Sequence, residues 1–133
     1  MIQSKEELLE NQVSFTIRGC IFNVYNNLGP GLFESAYEAA LMYELRKAGC
    51  SVETQVPVSM EYETTDLGIA FRLDLLVEDL VIVEVKSVEH IQEVHHKQLL
   101  TYLKLTGLKL GLLVNFNTDD IGKNIIRKVN KLD

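Results

Sequence analysis

A chain of 133 residues, 47% of them hydrophobic, is long enough to bury a sizeable core, and residues 1–133 are expected to form a single domain. No apolar run is long enough to span a bilayer, and Met1-Ile-Gln-Ser-Lys-Glu-Glu7 lacks a signal peptide's charged-then-apolar pattern; a cytoplasmic protein without a membrane partner is expected. The net charge of −6 argues against a general nucleic-acid binder with a basic face, yet clustered carboxylates bind cations, so metal-dependent phosphodiester chemistry stays open.

Ser4-Lys-Glu-Glu7 has the form of a capping box. Ile17, Cys20, Ile21, Val24 and Leu28 then recur at spacings of three and four, one apolar face of a helix that Gly29 caps and Pro30 cannot continue. Cys20 and Cys50 have no metal-ligand spacing and are expected to be free thiols. A second helix is predicted over 32–48, with Phe33, Tyr37, Ala40, Leu41, Leu45 and Ala48 as its buried stripe. Glu34 and Glu38 sit one turn apart beside that stripe. They are either a solvated face with favourable acidic charge in the first turn or, for Glu34 above all, part of a site.

Val52, Thr54, Val56, Val58, Met60 and Tyr62 alternate as a strand, which Pro57 assigns to a sheet edge or a bulge. After the turn Glu63-Thr-Thr-Asp66, alternation returns through Ile69, Phe71, Leu73, Leu75 and Val77, and again through Val81, Val83 and Val85. This predicts a hairpin whose other face carries Arg72, Asp74, Glu84 and Lys86. A turn centred on Asp79 brings Asp74 opposite Glu84 and Arg72 opposite Lys86, with cross-strand Cβ atoms roughly 5 Å apart. A helix over 91–105 follows, with Ile91, Val94, Gln98, Tyr102 and Leu105 as its stripe and Leu99 and Leu103 alongside. Gln98 is the odd polar member, either a satisfied structural amide or one facing a cleft. Gly107 ends that helix, and 108–115 reads as a buried strand, parallel to its predecessor by a right-handed crossover. Thr118 as N-cap, with Ile121, Ile125 and Val129 as an apolar face, predicts a final helix. The expected order is α, α, β, β, β, α, β, α around a mixed sheet.

The chemistry centres on Asp74, Glu84 and Lys86. Two carboxylates on a rigid hairpin suit Mg²⁺, which is commonly held by one or two carboxylates plus substrate phosphate. Such a cation polarises a phosphoryl oxygen and lowers the pKa of a bound water, with Lys86 on the same face to orient that water. The competing view is an exposed strand face with cross-strand ion pairs worth under ~1 kcal/mol each. His90, His95 and His96 lack a third ligand at zinc spacing and are expected to line a helix surface, His95 nearest the Gln98 face.

Asp74, then Glu84-Val-Lys86, then Gln98-Leu-Leu-Thr-Tyr102 resembles the PD-(D/E)XK nuclease superfamily, in particular its RecB-like branch with a Gln-x-x-x-Tyr motif. More closely, Gly31-Leu-Phe-Glu34-Ser-Ala-Tyr37 resembles the signature of the GxxExxY family. The likeness continues through Arg72-Leu-Asp-Leu-Leu-Val, Gln98 to Gly107, and Leu112-Leu-Val-Asn-Phe-Asn117. Leu73 stands where the superfamily often has proline. The resemblance implies a restriction-endonuclease-like α/β core of helix, three strands, helix and strand, with flanking N- and C-terminal helices. It implies that Asp74 and Glu84, with the Val85 carbonyl, bind Mg²⁺ or Mn²⁺, that Lys86 assists the attacking water, and that Glu34 adds a carboxylate. Gln98 and Tyr102 would support the substrate or the site's geometry. The expected partner is nucleic acid, DNA before RNA. The alternative is a non-catalytic module of the same fold, acting in protein binding or as a homo-oligomer through the edge strand that Pro57 implies. A third option is a buried ionic cluster serving structure alone, a poor stabiliser compared with apolar replacements.

Overall fold

In the computed structural model, residues 5–132 are described, apart from the side chains of residues 5–8 and of Ile69. The Ser4–Glu7 capping box and the inward placement of Ile69 lie outside the described residues. Helix α1 spans Lys5–Leu28 and α2 spans Glu34–Lys47, joined by the corner at Gly29-Pro30-Gly31. Three strands follow in sequence, β1 over Val52–Tyr62, β2 over Thr65–Val77 and β3 over Val81–Lys86. Helix α3 (Glu93–Thr106) leads to β4 (Leu110–Asn115), and a 3-10 turn at Ile121–Asn124 leads to β5 (Ile125–Val129).

The sheet runs β1-β2-β3-β4-β5, with β3 and β4 parallel and every other pair antiparallel. Pro57 is on β1, at the edge, as its missing N–H requires. β4 has all six residues buried, and α3 crosses back to make it parallel to β3. Helices α1 and α2 cover one face. Their Ile17, Ile21, Tyr37, Leu41 and Leu45 pack on Leu75, Val83, Val85 and Val114. Helix α3 covers the other face, where Leu99, Tyr102 and Leu103 pack on Leu73, Ile82 and Leu113. Gly111 makes that approach possible, since a Cβ there would lie 2.8 Å from Leu99 Cδ1.

Several expectations need correction. The C-terminal segment is no helix beyond the single 3-10 turn. Its Ile121, Ile125 and Val129 have helical spacing, but Ile125-Ile-Arg-Lys-Val129 pairs along the open edge of β4 from Leu110↔Val129 to Val114↔Ile125. Covering a buried strand's free N–H and C=O groups outweighs a local helical preference, and β-branched residues suit the strand. Phe33 is 85% exposed because it precedes α2 as its N-cap residue. Ala48 is exposed past the other end of α2, and Leu28 is exposed at the end of α1. On α3 the buried stripe is Leu99, Tyr102 and Leu103, while Val94, Gln98 and Leu105 are exposed. Leu73 joins the α3 core rather than that of Leu75.

Candidate active site

The β2–β3 ladder pairs Val77↔Val81, Leu76↔Ile82 and Leu75↔Val83. The register fits a turn centred on Asp79, with Glu78 and Asp79 both at positive φ. Beyond Leu75 the ladder gives way to side chains. The Asp74 N–H donates to Glu84 Oε2 at 2.8 Å, and the Val85 N–H donates to Asp74 Oδ2 at 2.8 Å. Each carboxylate thus spends one oxygen on the opposite strand's backbone, so the two are interlocked. A strand residue's N–H and C=O point to the same side, so the Val85 carbonyl faces the same gap as its N–H. Arg72, expected opposite Lys86, lies beyond the ladder's end, exposed and paired in register with Pro57 of β1.

This face is not solvated, because α3 lies on it. Glu84 is 4% exposed. Burial, reinforced by the Asp74 charge, pushes its carboxyl up to about 8, against the pull of the Asp74 N–H and Lys86. Burial also raises Asp74, opposed by the Val85 N–H and the Lys86 charge. Two carboxyls that resist ionising side by side, next to one ammonium, form a locus where positive charge is welcome.

The Gly-x-x-Glu-x-x-Tyr stretch has a direct structural explanation. Tyr37 is fully buried, with its ring stacked on Phe116 at 4.3 Å between centroids. Its hydroxyl donates to the Gly29 carbonyl at 2.6 Å and accepts from the Leu32 N–H at 3.1 Å. This pins the corner in which Gly31 adopts φ +99 and sets where α2 begins. Glu34, in the first turn, then accepts from the Ser87 N–H at 3.3 Å, and the Ser87 hydroxyl donates to the Leu32 carbonyl at 2.6 Å. The start of α2 is therefore tied to the residue after Lys86. From the other side, buried Asn115 mimics a strand partner. Its Oδ1 accepts from the Val88 N–H at 3.0 Å and its Nδ2 donates to the Val88 carbonyl at 2.9 Å.

Helix α3 contributes a wall. Tyr102, 5% exposed, tilts against Phe71 at 5.7 Å, and burial together with the Glu84 and Asp74 charges raises its phenol. Gln98 is exposed, so its amide faces outward. The His95 Nδ1 accepts the Gln92 N–H at 3.0 Å as half of a capping box. Burial and then the Lys86 charge lower His95, opposed by Glu34, so this imidazole lies near Lys86 and Glu34. His90 is exposed beside Glu89.

Two residues here lay outside the expected site. Glu38 is half-buried and accepts from Gln55 Nε2 through both carboxylate oxygens, at 3.0 and 3.1 Å. Burial raises it, Gln55 opposes that, and Asp74 and Glu34 add to it. The one-turn spacing from Glu34 was the available signal for Glu38. Gln55 had none, since it reads as an outward residue of an alternating edge strand.

Among the described residues, no group of three or more His, Cys, Asp or Glu side chains is gathered to hold a metal ion. The donor set that is assembled is Asp74 with Glu84, two hard oxygen ligands in number and kind suited to Mg²⁺ or Mn²⁺. Among the described residues no helix is long and apolar enough to cross a membrane. No curated protein and no solved structure matches the chain. A family model described as the PD-(D/E)XK nuclease superfamily does match, over residues 11–129. That span carries both interlocked carboxylates, Lys86 and every strand of the sheet, and the chain belongs to this superfamily.

Proposed function

We propose that the protein is a metal-dependent nuclease of the GxxExxY kind, within the RecB-like branch, hydrolysing phosphodiester bonds of DNA. Superfamily members generally use divalent metals. The observation that carries the reading is the interlocked pair of carboxyls, buried Glu84 and half-buried Asp74, with Lys86 two residues on. Asp74, Glu84 and the Val85 carbonyl hold Mg²⁺ or Mn²⁺. When bound, such an ion neutralises charge on the phosphoryl oxygens and lowers the pKa of a water. The two backbone N–H bonds keep the carboxylates in one orientation before the ion arrives, which lowers the cost of organising them. Lys86 orients the attacking water and offsets negative charge that builds on the phosphate. Glu34, tethered to Ser87, adds a carboxylate at the mouth. Gln98 contacts the substrate from the exposed side of α3, and Tyr102 supports the pair from behind.

The test is a cleavage assay with single-stranded, duplex and branched DNA, and with RNA, in Mg²⁺ and in Mn²⁺. Wild type is expected to cut at least one DNA substrate. Asp74→Ala and Lys86→Ala should lower the rate by about 10²–10⁴-fold with an unchanged far-ultraviolet circular dichroism spectrum. If nothing in the panel is cut and calorimetry shows no divalent-ion heat, the proposal is wrong.

A further inference from the structure

One residue of β1 leaves its own ladder. The β1–β2 pairing keeps a single register from Val52↔Val77 to Thr54↔Leu75 and from Val56↔Leu73 to Ser59↔Ala70. The pair missing between those stretches is Gln55 with Asp74. Gln55 has φ +52, and of the non-glycine residues at positive φ among the described residues it alone lies inside a strand. The others occupy the turns after β1 and β2 or follow β5. L-residues other than Gly, Asn and Asp rarely adopt this conformation, and where they do the strain tends to sit at functional sites.

Packing does not account for it, because Gln55 is exposed. Backbone pairing does not either. The Asp74 N–H points away to Glu84, so Gln55 can leave the ladder here without stranding a partner. What the conformation secures is the place of the side-chain amide. Its Nε2 lies between both oxygens of Glu38, at 3.0 and 3.1 Å, and the residue that the strand register sets opposite Gln55 is Asp74. An open groove of about 320 Å³ beside it, lined by Glu38, Met42, Thr54 and Gln55 among others, leaves the amide room to sit elsewhere.

We propose that Gln55 is a positioning residue for Asp74: its amide, anchored on the Glu38 carboxylate, keeps the Asp74 carboxylate turned toward Glu84. The inference rests on the reading of Asp74 as a cation ligand. Gln55 acts through Asp74 and does not itself touch the ion or the substrate.

Two variants test it. Gln55→Gly adopts φ +52 without strain and deletes the amide, while Gln55→Asn tolerates the backbone but is one carbon short of spanning Glu38 and Asp74. Each is compared with wild type by calorimetric titration with Mn²⁺, by thermal unfolding and by cleavage. Both should bind Mn²⁺ at least about tenfold more weakly, the usual cost of removing a residue that orients a metal ligand. Their Tm values should stay within about 4 °C of wild type. Unchanged Mn²⁺ affinity in either variant overturns the proposal. So does a larger fall in Tm, which would reassign the Gln55–Glu38 bond to holding α2 on β1. If the variants lose Mn²⁺ affinity but wild type cuts no nucleic acid, the positioning role stands and the nuclease reading falls. If wild type itself binds no Mn²⁺, both fall.

Discussion

Replacing Glu84 by glutamine should make the protein more stable, and only at high pH. Glu84 is 4% exposed, and burial with the Asp74 charge carries its pKa from 4.5 to about 8. In the native state it therefore keeps a proton that the unfolded chain has already released. The sign follows from that difference: its contribution to stability is complete below pH 4.5 and is lost as pH rises toward about 8. At about 1.4 kcal/mol per pH unit the loss is at most about 5 kcal/mol. Glu84→Gln keeps the shape and an acceptor oxygen for the Asp74 N–H, but it cannot ionise and does not repel Asp74. Variant and wild type should nearly coincide at pH 5, with the variant ahead by about 4 kcal/mol at pH 9. In a chain of this size that is a difference in Tm of more than about 10 °C. Urea unfolding at pH 5, 7 and 9 measures it directly. Adding Mn²⁺ at pH 8 should narrow the gap by stabilising wild type alone, since binding to the folded state adds to its stability. A gap that stays constant across the three pH values would refute the account of Glu84 as a buried carboxyl held protonated by its surroundings.

Asn115→Leu should cost about 2 kcal/mol in urea unfolding, because it leaves the Val88 N–H without its acceptor and the Val88 carbonyl with only the longer bond from Asn117 Nδ2. Hydrogen exchange at the Ser87 and Val88 amides should speed up more than exchange along β4. Tyr37→Phe keeps the stack on Phe116 but strands the Leu32 N–H and Gly29 carbonyl. It should cost about 1–2 kcal/mol, and divalent-ion affinity should weaken with it as Glu34 loses its fixed start to α2.

The two strands with charges on one face were legible because their signals are local. Alternation is a property of five or six neighbours, and the turn at Glu78–Asp79 set the register that brings Asp74 to Glu84. The bounds of β1 and the parallel β3–β4 pair also follow from short patterns and from chain connectivity. What stayed hidden depended on partners distant in sequence. Ile121, Ile125 and Val129 suit a helix until β4 offers an open edge. Gln98 looked buried because it falls within a run of apolar spacing, whereas the face that docks is set by Gly111 admitting Leu99. Gln55 was invisible altogether, since its φ and its bond to Glu38 come from a helix seventeen positions away.

The site's position follows from unequal strand lengths. β2 is 13 residues long and β3 only 6, and β2 pairs with β3 only as far as Leu75↔Val83 while it continues along β1. At that fork the inward N–H groups of Asp74 and Val85 lose their ladder partners. Buried N–H groups need acceptors, and the carboxylates of Glu84 and Asp74 provide them. Neither carboxylate could do so inside the ladder, where strand carbonyls already fill that role. The fork thus requires two inward-facing acceptors at these two positions, and acidic side chains meet the requirement while leaving carboxylate oxygens for another partner. Amides at both positions would satisfy the N–H groups equally well and would avoid the repulsion that lifts Glu84 to about 8. Stability alone favours the amides. That the chain carries two acids there, at a cost in stability above pH 4.5, is the strongest physical reason to treat the fork as a binding site for positive charge.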